Sequence, residues 1–143
     1  MKVSTRWASA AALLAGTIVM LAGTFAPWLQ SGRVTRDSYG TAGLMERLLG
    51  IDGVAGAALR AMPGLALACA VGIVLYIVGW HRFSAGTLTA LALIMGALSV
   101  VVLLAPASTE ISVAATGPSI TLAGAILTIA AAIALVVTHR ADR

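Results

Sequence analysis

The stretch from residue 85 to residue 105, AGTLTALALIMGALSVVVLLA, decides the class of this chain. It holds no Asp, Glu, Lys, Arg or His, and it runs into Pro106. Crossing a hydrocarbon core of about 30 Å takes roughly 20 apolar residues of helix, and this run supplies them. Three further runs are of the same kind. One covers about 7–26 and stops at Pro27, a second about 62–80, and a third about 119–138. None of the four carries an ionisable acid, base or imidazole in its core. The pattern predicts an all-α membrane fold, a four-transmembrane-helix bundle forming one domain over 1–143, with outer loops at 27–61 and 106–118. Trp7 and Trp28 bracket the first run at the spacing of the two interfacial belts, and Tyr76 and Trp80 mark the end of the second.

Composition agrees. Of the 143 residues 60% are hydrophobic and only 10% charged, and the mean hydropathy is +1.03. A soluble domain carries roughly 25% charged residues to cover its surface. The net charge of +4 and the pI near 10.2 would suggest nucleic acid in a soluble protein. Here the basic residues stand singly, mostly at the ends of apolar runs, where membrane anchoring and lipid phosphate put them. No nucleic-acid partner is expected. The lone cysteine, Cys69, lies inside an apolar run, has no second thiol for a disulfide or metal site, and reads as a small buried side chain.

The N-terminal apolar run is longer than the core of a signal peptide, and Pro27 directly after Thr24-Phe25-Ala26 resists cleavage there, so the segment reads as a retained helix. Basic residues set the orientation. Lys2, Arg6, Arg82, Arg140 and Arg143 crowd short segments close to helix ends. Arg33, Arg36, Arg47 and Arg60 lie in a long loop mixed with Asp37, Glu46 and Asp52, and the last loop has only Glu110. The density places both termini in the cytoplasm of a multi-pass plasma (inner) membrane protein.

The loops are unequal. The connection at His81–Ser84 is short enough to require a tight antiparallel hairpin, whereas residues 27–61 far exceed what connectivity needs. Within the long loop, residues 33–39 alternate like a strand, and 44–49 (LMERLL) read as a short amphipathic helix. Residues 110–114 also alternate, and pairing between them and 33–39 would make a small extracytoplasmic sheet lid.

Helices in lipid associate by close packing, which small residues permit. The expected packing positions are Ala12 and Gly16 on the first helix, Gly64, Ala68 and Gly72 on the second, Gly96 on the third and Gly124 on the fourth. The chemical signatures of catalysis are missing: no GxSxG, HExxH, CxxC or phosphate loop occurs. Ion-coupled transport needs a charged or titratable group within the span, and the carboxylate that small four-helix exporters carry in their first helix is absent. His81 and His139 sit at helix ends beside arginines and read as interface polarity. The sequence therefore predicts no enzyme, no catalytic residue, no metal and no cofactor. The remaining candidate for partner or lipid binding is the run 27–39, through Trp28, Arg33, Arg36, Asp37 and Tyr39. The two arginines could grip a lipid phosphate or an acidic patch.

The run Pro27-Trp28-Leu29-x-Ser31-Gly32 followed by Arg36-Asp37-Ser38-Tyr39 resembles small four-helix membrane proteins common in actinobacteria. So does Gly117-Pro118-x-x-Thr121-Leu122-Ala123-Gly124 at the opening of the last helix. One Lys against eight Arg, with abundant Ala, Gly and Val, suits a high-GC genome. The resemblance covers the whole chain's topology through short motifs, and it implies a source and a topology but no activity. The layout of a large first and a small second outer loop is also similar to claudin-like tetraspan proteins. That family's paired loop cysteines are absent here, so its function does not carry over.

Three functional expectations follow. The first is a non-catalytic accessory or stabilising subunit of a larger cell-envelope membrane complex, such as a transporter or respiratory assembly. The second is an anionic-lipid-binding or lipid-sensing protein. The third is a small oligomeric transporter or channel, which would need hydroxyls such as Thr17, Thr24, Thr87, Thr89, Ser99 and Thr128 to face a hydrated lumen.

Overall fold

The computed structural model describes the backbone of residues 2–31, 34–40, 54–104 and 112–141, and side chains at 7–28, 30, 36–40, 64–104 and 114–137. In chain order the elements are α1 (Lys2–Phe25), β1 (Leu29–Ser31), β2 (Val34–Arg36), α2 (Val54–Ile77), α3 (His81–Leu104), β3 (Ser112–Val113) and α4 (Thr116–Ala141). The class is all-α and membrane. Three helical stretches, Trp7–Phe25, His81–Leu104 and Thr116–Val137, are long and apolar enough to cross a bilayer, and α2 contributes a shorter apolar stretch, Gly64–Ile77. The expected amphipathic helix at 44–49 lies outside the described residues.

Several boundaries differ from the hydropathy pattern. Helix α2 starts at Val54, well before the apolar run near 62, and passes through Pro63, whose missing N–H leaves one helical bond unmade. Helix α3 starts at His81, so His81–Ser84 is its first turn and the hairpin bend lies just before it. That bend is a Schellman cap on α2. Gly79 takes φ +103, its N–H reaches Tyr76 O at 3.2 Å, and Trp80 N–H reaches Leu75 O at 3.0 Å. Glycine is the residue that enters this left-handed region without a Cβ penalty.

The bundle turns the soluble-protein rule inside out. In α1 the buried stripe is Ser9, Ala10, Leu13, Gly16, Thr17, Met20, Gly23 and Thr24, while Trp7, Ile18, Val19 and Phe25 point outward. Large apolar side chains gain nothing by leaving lipid for protein, so small residues that let backbones approach take the inner face. The tightest seam joins α1 to α4. A Cβ on Gly16 would lie 2.7 Å from Thr128 N, and one on Gly23 would strike Thr121. One on Gly124 would meet the backbone N and Cα of Met20 and lie 2.8 Å from Gly16 O. Helix α3 packs on α4 through Gly96, where a Cβ would sit 3.4 Å from Ala125 Cβ. Helix α2 leans on α3. Leu88 fills the space above Gly72, and the Ser84 hydroxyl donates to Gly72 O at 2.6 Å. Between α1 and α2 contact is slight.

Of the expected packing residues, Gly16, Gly72, Gly96 and Gly124 lie in close helix contacts, and Ala12 and Ala68 are half-buried. Gly64 is exposed, and among the described residues nothing lies within 4 Å of its Cβ direction.

The short strands form one antiparallel sheet in the order β2-β1-β3. Residues 112–113 pair with Leu29 and Gln30, not with the 33–39 stretch, which itself pairs with β1 over Val34–Arg36. The chain leaving α1 rises between the two other segments and becomes the central strand. Trp28 is bonded on both sides, its N–H to Arg36 O at 2.7 Å and its carbonyl to Ala114 N–H at 3.0 Å.

Candidate functional site

A helix end leaves its last carbonyls and first N–H groups without intrahelical partners, and in a water-poor setting each must be matched. The segment after α1 does this for two helices at once. The Trp28 indole N–H donates to Gly23 O at 2.9 Å, and the Ser38 hydroxyl donates to Thr24 O at 2.7 Å. Both acceptors are in the last turn of α1. At the start of α4, Gly117 N–H donates to Pro27 O at 2.8 Å. The indole lies against Gly117 so closely that a Cβ there would strike the ring. Pro118 follows in the first turn, where a missing N–H costs nothing.

These contacts place the candidate binding residues. Trp28 is 1% exposed, so in this conformation its ring is packing for the end of the bundle and offers no face to a ligand. Asp37 accepts the Gly40 N–H through Oδ1 at 2.7 Å, an N-cap on the helical turn that opens at Ser38. Tyr39 leans on Phe25 with ring centroids 5.3 Å apart, and its hydroxyl lies 3.3 Å from Thr24 Oγ1. Arg36 is half-buried, and its Nε is enclosed with no hydrogen-bond partner among the described residues. The side chain of Arg33 lies outside the described residues. Trp28, Asp37 and Tyr39 thus work mainly for the local fold.

Sequence reasoning missed Gly23, and it gave no individual role to Ser38, which lies in the run 27–39, or to Gly117 and Thr121, which lie in the motif opening the last helix. The seven-residue step from Gly16 to Gly23, two turns along one helix face, was the available signal for Gly23. Gly117-Pro118 before an apolar run marked a helix start, but nothing local shows that an indole from another segment rests on that glycine.

At this end of the bundle, between α1, α2 and α3, lies a recess of about 10 Å³ whose lining includes Met20, Cys69 and Met95 together with Thr24, Ser38 and Tyr39. Several of the other helix hydroxyls are bonded within their own helices. Thr17, Ser99 and Thr128 each donate to the carbonyl four residues back in their own helix, at 2.8–2.9 Å. Thr87 and Thr89 do the same at 3.0 and 2.7 Å. Thr121 Oγ1 is buried at the α1–α4 seam without a partner, beside Gly23. Among the described residues no group of three His, Cys, Asp or Glu side chains could hold a metal ion.

No family model matches the chain, no curated protein matches it and no solved structure matches it.

Proposed function

We propose that the chain is a non-catalytic integral membrane subunit that stabilises a larger cell-envelope complex, such as a transporter or respiratory assembly. One observation carries this reading. Most of the described helix hydroxyls are bonded to carbonyls within the bundle, while α2 leaves a broad apolar face exposed. Leu67, Val71, Val74 and Ile77 form that face, and Gly64 and Gly86, exposed and uncovered, allow another helix to approach. Such a chain has surface to give a partner and little with which to move an ion.

In this reading α2 is a fourth span, and both termini lie in the cytoplasm of the plasma membrane. The sheet and the 38–40 turn then form an extracytoplasmic lid. The likeness to small actinobacterial four-helix proteins belongs to the same proposal. Purifying a tagged copy in mild detergent tests it. A membrane protein should co-purify at fixed stoichiometry, and recovery of a well-behaved lone monomer would overturn the idea.

A second reading is anionic-lipid binding through the arginines of the run 27–39, of which Arg36 stands half-buried at the β2 end beside the last turn of α1. A lipid phosphate is the abundant acceptor at headgroup depth, and guanidinium–phosphate contacts are short and strong. Co-purified anionic lipid should then fall when Arg33→Ala and Arg36→Ala are combined. Unchanged lipid content in that double variant would remove this reading.

A further inference from the structure

Met20 of α1, Cys69 of α2 and Met95 of α3 come from three different helices, yet they line one recess. They are 1%, 1% and 2% exposed, and among the described residues they are all of the sulfur-bearing side chains. Packing alone needs no such convergence, because any apolar residue fills a core. We propose that Cys69, Met20 and Met95 form a binding site for one soft monovalent cation of the Cu(I) or Ag(I) kind.

The donor set selects the ion. Thiolate and thioether sulfur favour soft d10 ions, whereas Mg, Ca and Mn want carboxylate and carbonyl oxygen. Among the described residues no carboxylate or imidazole lines the recess. Charge selects further. One thiolate and two neutral thioethers around a monovalent ion sum to zero, so the occupied site brings no net charge into apolar surroundings. A divalent ion would leave one positive charge uncompensated, at a severe desolvation cost. Size agrees, since about 10 Å³ admits a single small particle and not an organic molecule.

Binding is a simple exchange. The Cys69 S–H bond breaks, a sulfur–metal bond forms, the proton leaves to solvent, and the metal keeps its oxidation state. One proton should therefore be released per ion bound, because a thiol must ionise to become a ligand.

The test uses the full chain in detergent, with silver nitrate as one probe and Cu(I) buffered by bicinchoninate as the other. Wild type should withdraw one equivalent of Cu(I) from the chelator, release one proton, and hold its ion against excess zinc. Cys69→Ala should lose this equivalent. Met20→Leu and Met95→Leu keep the side-chain volume, so they should fold as wild type. Each should weaken binding by about tenfold or more, the scale seen when a metal site loses a supporting group. Failure of wild type to compete with the chelator would overturn the proposal. So would wild-type affinity in Cys69→Ala, which would place the metal on methionines elsewhere, or wild-type affinity in both leucine variants. Circular dichroism and elution volume separate lost binding from lost folding.

Discussion

Gly124→Ala adds one methyl group at one of the closest backbone approaches among the described residues. Its Cβ would meet the Met20 backbone N and Cα and would lie 2.8 Å from Gly16 O. None of these atoms is the far end of a flexible side chain, so the seam can accept the methyl only if α1 moves as a body. A separation of about 0.5–1 Å forfeits a quarter to a half of each dispersion contact across the gap. Overpacking of this kind costs about 1–3 kcal/mol, and the backbone obstacle puts this case near the top of that range. The control is Gly64→Ala, where among the described residues nothing lies within 4 Å. Alanine is the better helix former by up to about 1 kcal/mol, so that variant should be neutral or more stable. Unfolding in mixed micelles, followed by helicity as the fraction of dodecyl sulfate rises, compares the two. Combining Gly16→Ala with Gly124→Ala should cost less than the sum of the singles, since the first methyl already opens the seam for the second. If Gly124→Ala and Gly64→Ala unfold at the same midpoint, direct backbone packing of α1 on α4 is not what holds this bundle.

Trp28→Phe should cost about 1 kcal/mol for the lost bond to Gly23 O, and Trp28→Ala about 3–5 kcal/mol, read as faster hydrogen exchange at the Ala114 and Gly117 amides. Gly79→Ala forces a Cβ into the left-handed region and should lower stability by about 1–2 kcal/mol while leaving the helical dichroism unchanged. Ser84→Ala removes a hydroxyl that links α3 to α2, and should cost about 0.6 kcal/mol and at most about 1.7 kcal/mol. Thr17→Val removes a bond within one helix, to a carbonyl already engaged in the helix ladder, and should be close to neutral in the same assay.

The sequence by itself determined the solvent. Runs such as 85–105, without an ionised side chain, are stable in hydrocarbon, and their length follows from the thickness of the bilayer. It also determined that a sharp hairpin joins the second and third apolar runs and that small residues carry the packing. These properties are local, since each is a matter of what one segment can do alone. The tertiary structure decided which small residues meet. Gly124 finds a backbone and Gly64 finds open space, although both sit in similar Ala- and Gly-rich helices, because the difference lies in the orientation of a second helix. It also decided the work of residues 27–39. An exposed Pro-Trp run with arginines reads as a binding edge, but the indole turns inward. The last carbonyls of α1 and a first N–H of α4 need partners where water is scarce, and Trp28, Ser38 and Pro27 are the groups within reach. The shared recess of Met20, Cys69 and Met95 is likewise invisible in one dimension, because only the packing of three helices gives sulfur atoms so far apart in the chain a common cavity.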